Sequence, residues 1–389
     1  MIGAAGVRGV TLLGATGSIG ETAQRVLARH ADRFRVVALT ANGSREALAA
    51  AAARLAPAMV GLVSPNGKPL PAGWRAGPEC LVEAATHPDV AIVLNAVVGA
   101  AGLDATLAAL RAGKRVALAN KESLVMGGAL VQRAAREGGG EVVPVDSEHS
   151  ALLQCVSGRI ATEGEGLLPL TGVRRVVITA SGGPFRTWSA ERIRGAQVAD
   201  ALAHPTWSMG RKITVDSASL ANKALEVIEA HVLFGVPYDR IEVVVHPQSI
   251  VHSMVEFDDG SVLAQLGVPS MELPVLFSLT YPDRLDDAGV PRFDPVASSP
   301  LTFEPVRDAE FPTLGLGIAA GRRGGAAPAV FNAANEAAVA RFLDGSLDFS
   351  GIPGAIGRAL ERLADHPGDD LHALLAADAA ARTHVKEYR

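Results

Sequence analysis

Acidic residues are crowded directly after an apolar run in the stretch PVDSEHSALLQ, which spans residues 144–154. The carboxylates of Asp146 and Glu148 repel each other unless a positive charge lies between them. If the chain stays extended, both side chains point to the same side and form an oxygen-rich corner that suits Mg²⁺ or Mn²⁺. The alternative is that Asp146 or Ser147 caps a helix beginning at EHSALLQCV. Both interpretations can hold at once, because the cap and the cluster share one turn.

A second polar set occupies SLANKALEVIEAHV, where a helix aligns four side chains on one stripe: Asn222, Lys223, Glu226 and Glu229. These residues offer further metal ligands, whereas the alternative is a solvated face with a Lys–Glu pair. The preceding RKITVDSAS carries many hydroxyl groups and a Lys at a helix start. That composition favours an anion site in which Ser217, Asn222 and Lys223 bind a phosphate.

Two further stretches are candidates for ligand contacts. In ASGGPF, Ser181 and the Gly182–Gly183 amides can form a nest of N–H donors, or merely a tight turn. AHPTWSMGRK, residues 203–212, has no clear period. It is a candidate lid in which Trp207 covers an apolar part of a ligand and His204 reaches a phosphate. The alternative is a buried loop anchored by a core Trp.

The stretch LLGATGSIGETAQ places Gly14, Gly17 and Gly20 between an apolar strand and a helix. This context predicts a dinucleotide loop, in which the chain approaches a pyrophosphate at the helix N-terminus, although the spacing is GxxGxxG rather than GxGxxG. The alternative is a connecting turn without a ligand. The second strand runs into TANGSRE, where no acid precedes Glu46 and Arg45 is close by. NADP(H) is therefore predicted rather than NAD, because a carboxylate would repel a 2′-phosphate.

Short apolar runs alternate with helices over residues 1–150, which predicts parallel βαβ units in a Rossmann-like α/β domain. The stretch 240–267 alternates apolar and polar residues around DDG, which predicts an antiparallel hairpin. One helix is predicted over 216–235. Residues 281–310 are rich in Pro and Asp and are predicted to be a linker, and the tail from Phe311 is predicted to be helical.

The amino-acid composition argues against several classes of protein. The 389 residues are 48% hydrophobic and 20% charged, and the formal net charge of −5 argues against a nucleic-acid surface. Cys80 and Cys155 stand far apart, so a disulfide framework is not expected and a reducing cytoplasm fits. No apolar run reaches the ~18 residues of a membrane helix.

Six blocks in one order are similar to those of the 1-deoxy-D-xylulose 5-phosphate reductoisomerase family. They are GATGSIG, ALANKESLV, PVDSEH, ASGGPF, HPTWSMGRKITVDSASLANKALEVIEA and VHPQSIVHSMVEFDDGSVLAQLG, and the likeness continues through NAANEAAVARFL. The resemblance implies an NADPH-binding domain over 1–150 and an α+β catalytic and dimerisation domain with a mixed sheet over 151–280. It places a lid loop at 181–211, a linker at 281–310 and a helical domain at 311–389.

The resemblance also implies roles for individual residues. The metal triad, which would hold Mg²⁺, Mn²⁺ or Co²⁺, maps to Asp146, Glu148 and Glu226, with Lys121 beside the metal and the nicotinamide. These four residues are the implied catalytic residues. Substrate contacts map to Lys121, Ser147, Glu148, Ser181, His204, Ser217, Asn222, Lys223 and Glu226, with Trp207 and Met209 in the lid. NADPH contacts map to Thr16, Gly17, Ser18, Ile19, Ala41, Asn42, Gly43, Ser44, Asn120, Glu122 and Gly210. Some relatives have Lys and Asn where this chain has Gly43 and Ser44, so Arg45 is the expected substitute.

The implied activity is the rearrangement and NADPH-dependent reduction of a phosphorylated hydroxyketone by a homodimer. Two other classes stay open from the residues alone. A plain NADP-dependent dehydrogenase would keep its activity in a chelator, because it needs no metal. A nucleotide-sensing regulator would not need Asp146, Glu148 and Glu226 together.

Overall fold

The computed structural model describes residues 6–67, 69–161 and 164–388. They form two compact units, neither of which is a single stretch of chain. The first unit contains Met1–Ser123, Ala129–Ser150 and Ser270–Pro291, and the second contains Leu124–Gly128, Ala151–Pro269 and Arg292–Arg389.

A seven-stranded parallel sheet forms the centre of the first unit, in the order β4-β3-β2-β1-β5-β6-β7. Its strands are β1 Arg8–Leu13, β2 Phe34–Ala41, β3 Met59–Leu62, β4 Arg75–Ala76, β5 Ile92–Asn95, β6 Arg115–Leu118 and β7 Glu141–Pro144. The helices between them are α1 Ser18–Arg29, α2 Arg45–Leu55, α3 Glu79–Thr86, α4 Leu103–Arg111 and α5 Lys121–Gly138, followed by α6 Ser147–Cys155. The predicted Rossmann-like fold is confirmed.

The order of this sheet reverses at β1, which is flanked by β2 on one side and β5 on the other. Ligands of such sheets bind outside the carboxyl ends of the strands at this switch point. Leu12, Leu39 and Leu94, on the three central strands, are fully buried, as expected for a sheet covered on both faces. The glycine loop follows β1 directly and therefore lies at the switch point.

The chain returns to the first unit late, through α11 Glu272–Thr280 and the segment that follows it. Arg25 Nε pairs with Glu272 Oε1 at 3.0 Å, and Arg29 Nε pairs with Asp287 Oδ1 at 2.9 Å. The sequence predicts that residues 270–280 belong to the catalytic domain and that residues 281–291 belong to a linker. The structure groups this segment with the dinucleotide-binding unit instead. The functional division into domains stays a prediction.

The second unit contains a five-stranded mixed sheet in the order β11-β10-β8-β9-β12. Its strands are β8 Val173–Ala180, β9 Ile241–Val245, β10 Val251–Phe257, β11 Val262–Leu266 and β12 Glu304–Pro305. Strands β8 and β9 are parallel, whereas β10 is antiparallel to both β8 and β11. The predicted hairpin around DDG is confirmed as β10–β11.

The single helix predicted over 216–235 is wrong. The structure has α9 Arg211–Ser219 and α10 Ala221–Phe234, separated by Leu220 in the left-handed conformation with φ +58°. The Leu220 side chain is nonetheless buried. A buried apolar residue gives no sequence signal for a break, because helices usually end at Gly in this conformation.

Helices α7 Ala190–Arg194 and α8 Val198–Ala201 lie between β8 and α9, and four more complete the second unit: α12 Pro312–Arg323, α13 Ala327–Leu343, α14 Gly351–Leu363 and α15 Leu371–Glu387. Phe331, Ile352 and Ile356 are fully buried in their shared core. The predicted helical tail is confirmed. Among the described residues, no helix has both the length and the apolar character that crossing a membrane requires.

Candidate active site

The acidic turn after β7 begins a helix. The Glu148 N–H donates to Asp146 Oδ1 at 3.3 Å, and the Ser150 N–H donates to the Asp146 carbonyl at 2.8 Å. Asp146 is thus the N-cap of α6, so the cap interpretation is confirmed and the backbone of this turn is not extended. The metal interpretation of the two carboxylates stays a prediction. Ser147 Oγ donates to the Glu148 carboxylate. A cap gives the turn a fixed shape, which places the Asp146 and Glu148 carboxylates two residues apart at a helix N-terminus.

Lys121, the first residue of α5, supplies the positive charge that the acidic turn needs. Its Nζ forms an ion pair with Asp146 Oδ2. The buried His149 lies with Nδ1 3.3 Å from Asp146 Oδ1. Burial raises the pKa of Asp146, but the Lys121 charge and the His149 contact outweigh it and hold that pKa well below its ordinary value. An ionised carboxylate is therefore stable here.

Two more predicted cofactor residues flank Lys121 at the start of α5. Asn120 Nδ2 donates to Glu122 Oε2 and to the Gly99 carbonyl, each at 3.0 Å. Both side chains are buried. The loop after β5, which contains Gly99, is thereby tied to the turn after β6 at the carboxyl edge of the sheet.

The glycine loop places Thr16, Gly17, Ser18 and Ile19 at the start of α1. Gly17 is the N-cap, and its missing side chain leaves the first turn without a side-chain cap. A Cβ on Gly17 would meet only the Gly14 carbonyl oxygen, at 3.6 Å. The helix N-terminus is thus open to an anion. Thr16, Arg25 and Arg54 line a groove of about 650 Å³ along α1 and α2.

The segment after β2 has the features expected for the adenosine end of NADP. Ala41 ends the strand, and Ser64 Oγ donates to Asn42 Oδ1 at 3.0 Å. Helix α2 starts at Arg45 after Ser44, whose side chain makes no cap hydrogen bond. The first turn of α2 contains both Arg45 and Glu46, so it offers a cation beside an acid.

In the second unit, three predicted phosphate ligands lie together. His204 Nε2 lies 3.0 Å from Ser181 Oγ and 3.1 Å from Ser217 Oγ. The backbone N–H groups of Thr206 and Trp207 donate to His204 Nδ1 at 3.1 and 2.9 Å. Because Nδ1 accepts, the neutral ring carries its proton on Nε2 and donates there. Burial lowers the pKa of His204, which favours this neutral form.

Glycines make this arrangement possible. Gly182 and Gly183 have φ of +82° and +64°, a conformation that favours glycine. A Cβ on Gly183 would lie 2.7 Å from the Ser217 carbonyl oxygen. The ASGGPF loop therefore packs directly against α9. The Gly183 N–H also donates to Ser181 Oγ at 3.2 Å, so the turn and the candidate anion site coincide.

The polar stripe of α10 is buried. Lys223 Nζ pairs with Glu226 Oε2, and Asn222 Nδ2 donates to Glu226 Oε1. Lys223 and Glu226 are 5% and 1% exposed, and Glu229 is fully buried. The alternative of a solvated helix face is therefore wrong, since charged side chains are seldom buried without a partner or a ligand.

The candidate lid residues lie between α8 and α9. Trp207 and Met209 are half-buried, so Trp207 does not anchor a core. Its ring lies 6.3 Å from the His252 ring. Gly210 is exposed and is the N-cap of α9. Whether this segment closes over a ligand stays a prediction.

Two site features were not predicted from the sequence. His149 was noted in the acidic turn but assigned no role, although it contacts Asp146. Asp216 escaped notice because its partners lie on two helices: Lys212 Nζ is 2.8 Å from its Oδ2, and Asn335 Nδ2 donates to its Oδ1 at 2.9 Å. A buried acid directly before a predicted ligand, Ser217, was the available signal.

Comparison with known proteins explains why these residues occur together. The family model for 1-deoxy-D-xylulose 5-phosphate reductoisomerase matches residues 10–128. Models for C-terminal domains of the same enzyme match residues 142–234 and 266–384. The 1-deoxy-D-xylulose 5-phosphate reductoisomerase of Ralstonia nicotianae is 50% identical, over 97% of this chain and 97% of its own. That of Aromatoleum aromaticum is 51% identical, over 96% and 94%.

The chain belongs to the 1-deoxy-D-xylulose 5-phosphate reductoisomerase family.

Solved structures of reductoisomerases share the whole fold. A crystal structure of DOX-P reductoisomerase in complex with NADPH, fosmidomycin and magnesium matches with a TM-score of 0.91 and 37% identity, covering 98% of each chain. The enzyme from Zymomonas mobilis in complex with NADPH matches with a TM-score of 0.87 and 41% identity, over 97% of this chain and 98% of its own. The predicted family and fold class are confirmed.

Proposed function

We propose that this reductoisomerase family member converts 1-deoxy-D-xylulose 5-phosphate to 2-C-methyl-D-erythritol 4-phosphate, using NADPH and a divalent cation, in non-mevalonate isoprenoid precursor synthesis. It is an NADP-dependent oxidoreductase. The observation that carries the proposal is the near-complete coverage, at 50% identity, of a relative bearing that enzyme's name. A structural relative that holds NADPH and magnesium supports both cofactors.

We propose that Asp146, Glu148 and Glu226 hold Mg²⁺, Mn²⁺ or Co²⁺. The donor chemistry fits, because carboxylate oxygens are the ligands that hard divalent cations prefer. The low pKa of Asp146 keeps its carboxylate charged, as a metal ligand must be. When bound, such an ion polarises a substrate carbonyl and stabilises negative charge that develops on its oxygen. Lys121, paired with Asp146, offsets part of the negative charge of the acidic turn.

We assign the substrate phosphate to Ser181, His204 and Ser217, assisted by Asn222 and Lys223. His204 offers an Nε2–H donor whose direction is fixed by the two N–H groups on Nδ1. The serine hydroxyls rotate to donate to an anion. Ser147 and Glu148 are assigned to substrate hydroxyls, and Trp207 and Met209 to the lid that excludes water. Binding the phosphate away from the reacting carbons orients the substrate for the rearrangement.

NADPH is assigned to the first unit. The uncapped start of α1, with Thr16, Gly17, Ser18 and Ile19, suits the pyrophosphate. Asn42, Gly43, Ser44 and Arg45 follow β2, where the 2′-phosphate is expected, next to Ala41. Asn120, Glu122 and Gly210 are assigned to the nicotinamide half. The cofactor supplies a hydride to the aldehyde produced by the rearrangement.

The test is turnover of 1-deoxy-D-xylulose 5-phosphate with NADPH and Mg²⁺, followed by loss of nicotinamide absorbance. We expect EDTA to abolish turnover. Glu226→Gln is expected to lower turnover by at least about 10³-fold, since it removes a metal ligand, while the NADPH Kd stays close to that of the unmodified chain. Full turnover in EDTA would favour a metal-free dehydrogenase, and unchanged turnover of Glu226→Gln would refute this ligand assignment.

We also propose that the chain forms a homodimer and works in the cytoplasm. The edge strand β11 supports dimerisation, because Val262 and Leu263 are 53% and 51% exposed on it. An apolar edge strand is a template for pairing unless it is covered. The cytoplasmic location rests on the two cysteines, Cys80 and Cys155, neither of which forms a disulfide.

A further inference from the structure

Asp216, the buried acid directly before the phosphate ligand Ser217, is held on both carboxylate oxygens. It is 1% exposed. Lys212, on the same helix α9, pairs with Oδ2, and Asn335 of α13 donates to Oδ1. The Asn335 contact joins residues that are 119 positions apart. This hydrogen bond is therefore a tertiary contact, called the clamp below, that holds α9 against α13.

Asn335, like Asn332 on the same helix, is an amide in the core whose Oδ1 has no hydrogen-bond partner among the described residues. Asn335 is fully buried. A buried amide oxygen without a partner opposes folding. An apolar side chain at this position would avoid the cost. The hydrogen bond that the Asn335 amide donates to Asp216 is therefore the contact that can compensate for it.

We propose that Asn335 is a positioning residue for the substrate phosphate, acting through Asp216 on Ser217. Helix α9 has nine residues and ends at the left-handed Leu220, so few helical hydrogen bonds fix its rotation. The clamp on Asp216 fixes that rotation one residue before Ser217. It thereby sets the Ser217 hydroxyl 3.1 Å from His204 Nε2. This inference rests on the proposed function only in identifying the anion as a substrate phosphate.

The same helix offers a matched control. Asn332 is also fully buried, one turn before Asn335, and its Nδ2 donates to Glu336 Oε1 at 3.1 Å. Glu336 in turn accepts from Arg382 of α15 at 2.6 Å. Through Glu336, Asn332 therefore supports the packing of α13 against α15. Neither of these two hydrogen bonds involves a residue of α9.

The experiment compares Asn335→Leu with Asn332→Leu in the full chain. We expect Asn335→Leu to raise the KM for 1-deoxy-D-xylulose 5-phosphate about tenfold, the size of one hydrogen bond to a charged group, with an unchanged Kd for NADPH. Asn332→Leu is expected to lower the unfolding temperature but to leave KM within about twofold of the unmodified chain, as for a substitution remote from the site. Equal KM values for the two variants would overturn the proposal.

A double-mutant cycle tests the route through Ser217. In a Ser217→Ala background, Asn335→Leu should change KM by less than about twofold, because the group it positions is gone. A full tenfold rise there would overturn the proposal. If Asn335→Leu does not fold, Asp216→Asn weakens the same contact from the other side. A folded Asp216→Asn variant with an unchanged KM would also contradict it.

Binding of inorganic phosphate separates this inference from the proposed function. If the unmodified chain does not turn over 1-deoxy-D-xylulose 5-phosphate, the proposed function fails. The positioning role is then decided by calorimetric titration with inorganic phosphate. Weaker binding in Asn335→Leu than in Asn332→Leu supports it, and equal binding overturns it.

Discussion

The glycines between β1 and α1 differ in what they contact. A Cβ on Gly14 would lie 2.6 Å from the Ala96 carbonyl oxygen, and one on Gly20 would lie 2.3 Å from the Gly14 carbonyl oxygen. Gly17 has φ −86° and faces open space apart from one contact at 3.6 Å. Packing therefore requires Gly14 and Gly20 but does not require Gly17, which we assign to the approach of the NADPH pyrophosphate.

We predict that Gly17→Ala folds with a free energy of unfolding within about 0.5 kcal/mol of the unmodified chain. It should nonetheless weaken NADPH binding about tenfold, because the methyl group lies where the pyrophosphate approaches the helix. Gly20→Ala should instead destabilise the fold by about 2 kcal/mol or more, as overpacking does. Urea unfolding and fluorescence titration with NADPH measure the two effects. Unchanged NADPH affinity in Gly17→Ala would remove this residue from the cofactor site.

The protonation state of His204, a residue of the proposed phosphate site, affects the stability of the fold at low pH. Two backbone N–H groups donate to its Nδ1, and protonation of that nitrogen would break both bonds. Burial lowers the pKa of His204, whereas the value in an unfolded chain is about 6.5. As the pH falls below that value, the unfolded chain takes up the proton first. The native state thus loses stability at low pH.

We predict that the free energy of unfolding of the unmodified chain falls more steeply than that of His204→Asn between about pH 7 and about pH 5. Asn Oδ1 can accept the same two N–H bonds but does not titrate in this range. Urea unfolding without ligand, at several pH values, measures the difference. His372→Asn, at an exposed position of α15, controls for the loss of one histidine. Parallel profiles for all three chains would contradict the role assigned to His204.

Residue types, local spacing and the family resemblance suggest the members of the site, which stay predictions, but they do not suggest the contacts between those members. Gly17, Asp146 and Glu226 each carry a local signal, which is a loop, a turn or a helical stripe. The pairing of Asp216 with Asn335 carries none, because the two residues are 119 positions apart. Such a contact is set by how α9 and α13 pack, and sequence periodicity reports only which face of a helix is apolar.

At the scale of elements, ion pairs join the nucleotide helix α1 to the late segment of the chain. The Asp287 side chain is 2% exposed and accepts from Arg29, and it also lies 3.1 Å from His30 Nε2. Arg25 pairs with Glu272 of α11, but its side chain is 56% exposed. Removing a partner from a buried pair is costly, whereas an exposed pair contributes little.

We predict that Asp287→Ala destabilises the chain by about 3 kcal/mol, since it removes a buried carboxylate that both Arg29 and His30 contact. Arg29 keeps its second pair, with Glu272. Arg25→Ala on the same helix should cost at most about 1 kcal/mol. Urea unfolding measures the free energy of unfolding of both variants, and hydrogen exchange shows whether the lost stability is local to α1. Equal losses in the two variants would mean that burial does not govern this network.

Element prediction succeeded where hydrophobic periodicity is strong. The apolar β1, β2 and β5 and the hairpin β10–β11 follow their patterns. Strands β3 and β4 were missed. Strand β4 has two residues, both exposed, and the four-residue β3 contains Gly61, a residue type that is depleted in strands. The break between α9 and α10 was missed because Leu220 is a good helix former that the tertiary structure holds at positive φ.

At the scale of the molecule, the chain crosses between its two compact units more than once. Linear composition suggested a boundary near Ser150 and a linker at 281–310. The segment Ser270–Pro291 belongs to the first unit, where Val275, Leu276 and Leu279 join the core and Glu272 and Asp287 pair with Arg29. The Pro- and Asp-rich stretch was predicted to be a linker, and its composition does not reveal that the buried Asp287 contacts an Arg 258 positions away.

The last prediction concerns the homodimer that we propose. The exposed Val262 and Leu263 lie on β11, the edge of the five-stranded sheet. Leu263→Lys places a charge on that edge and should block pairing there. We expect the unmodified chain to sediment at twice its mass of 40.1 kDa, and the variant to dissociate at about tenfold higher concentration or more. Val296→Lys is the control, because Val296 is 84% exposed but lies outside the sheet. Equal dissociation of both variants would show that β11 is not the interface, and a monomeric unmodified chain would refute the dimer itself.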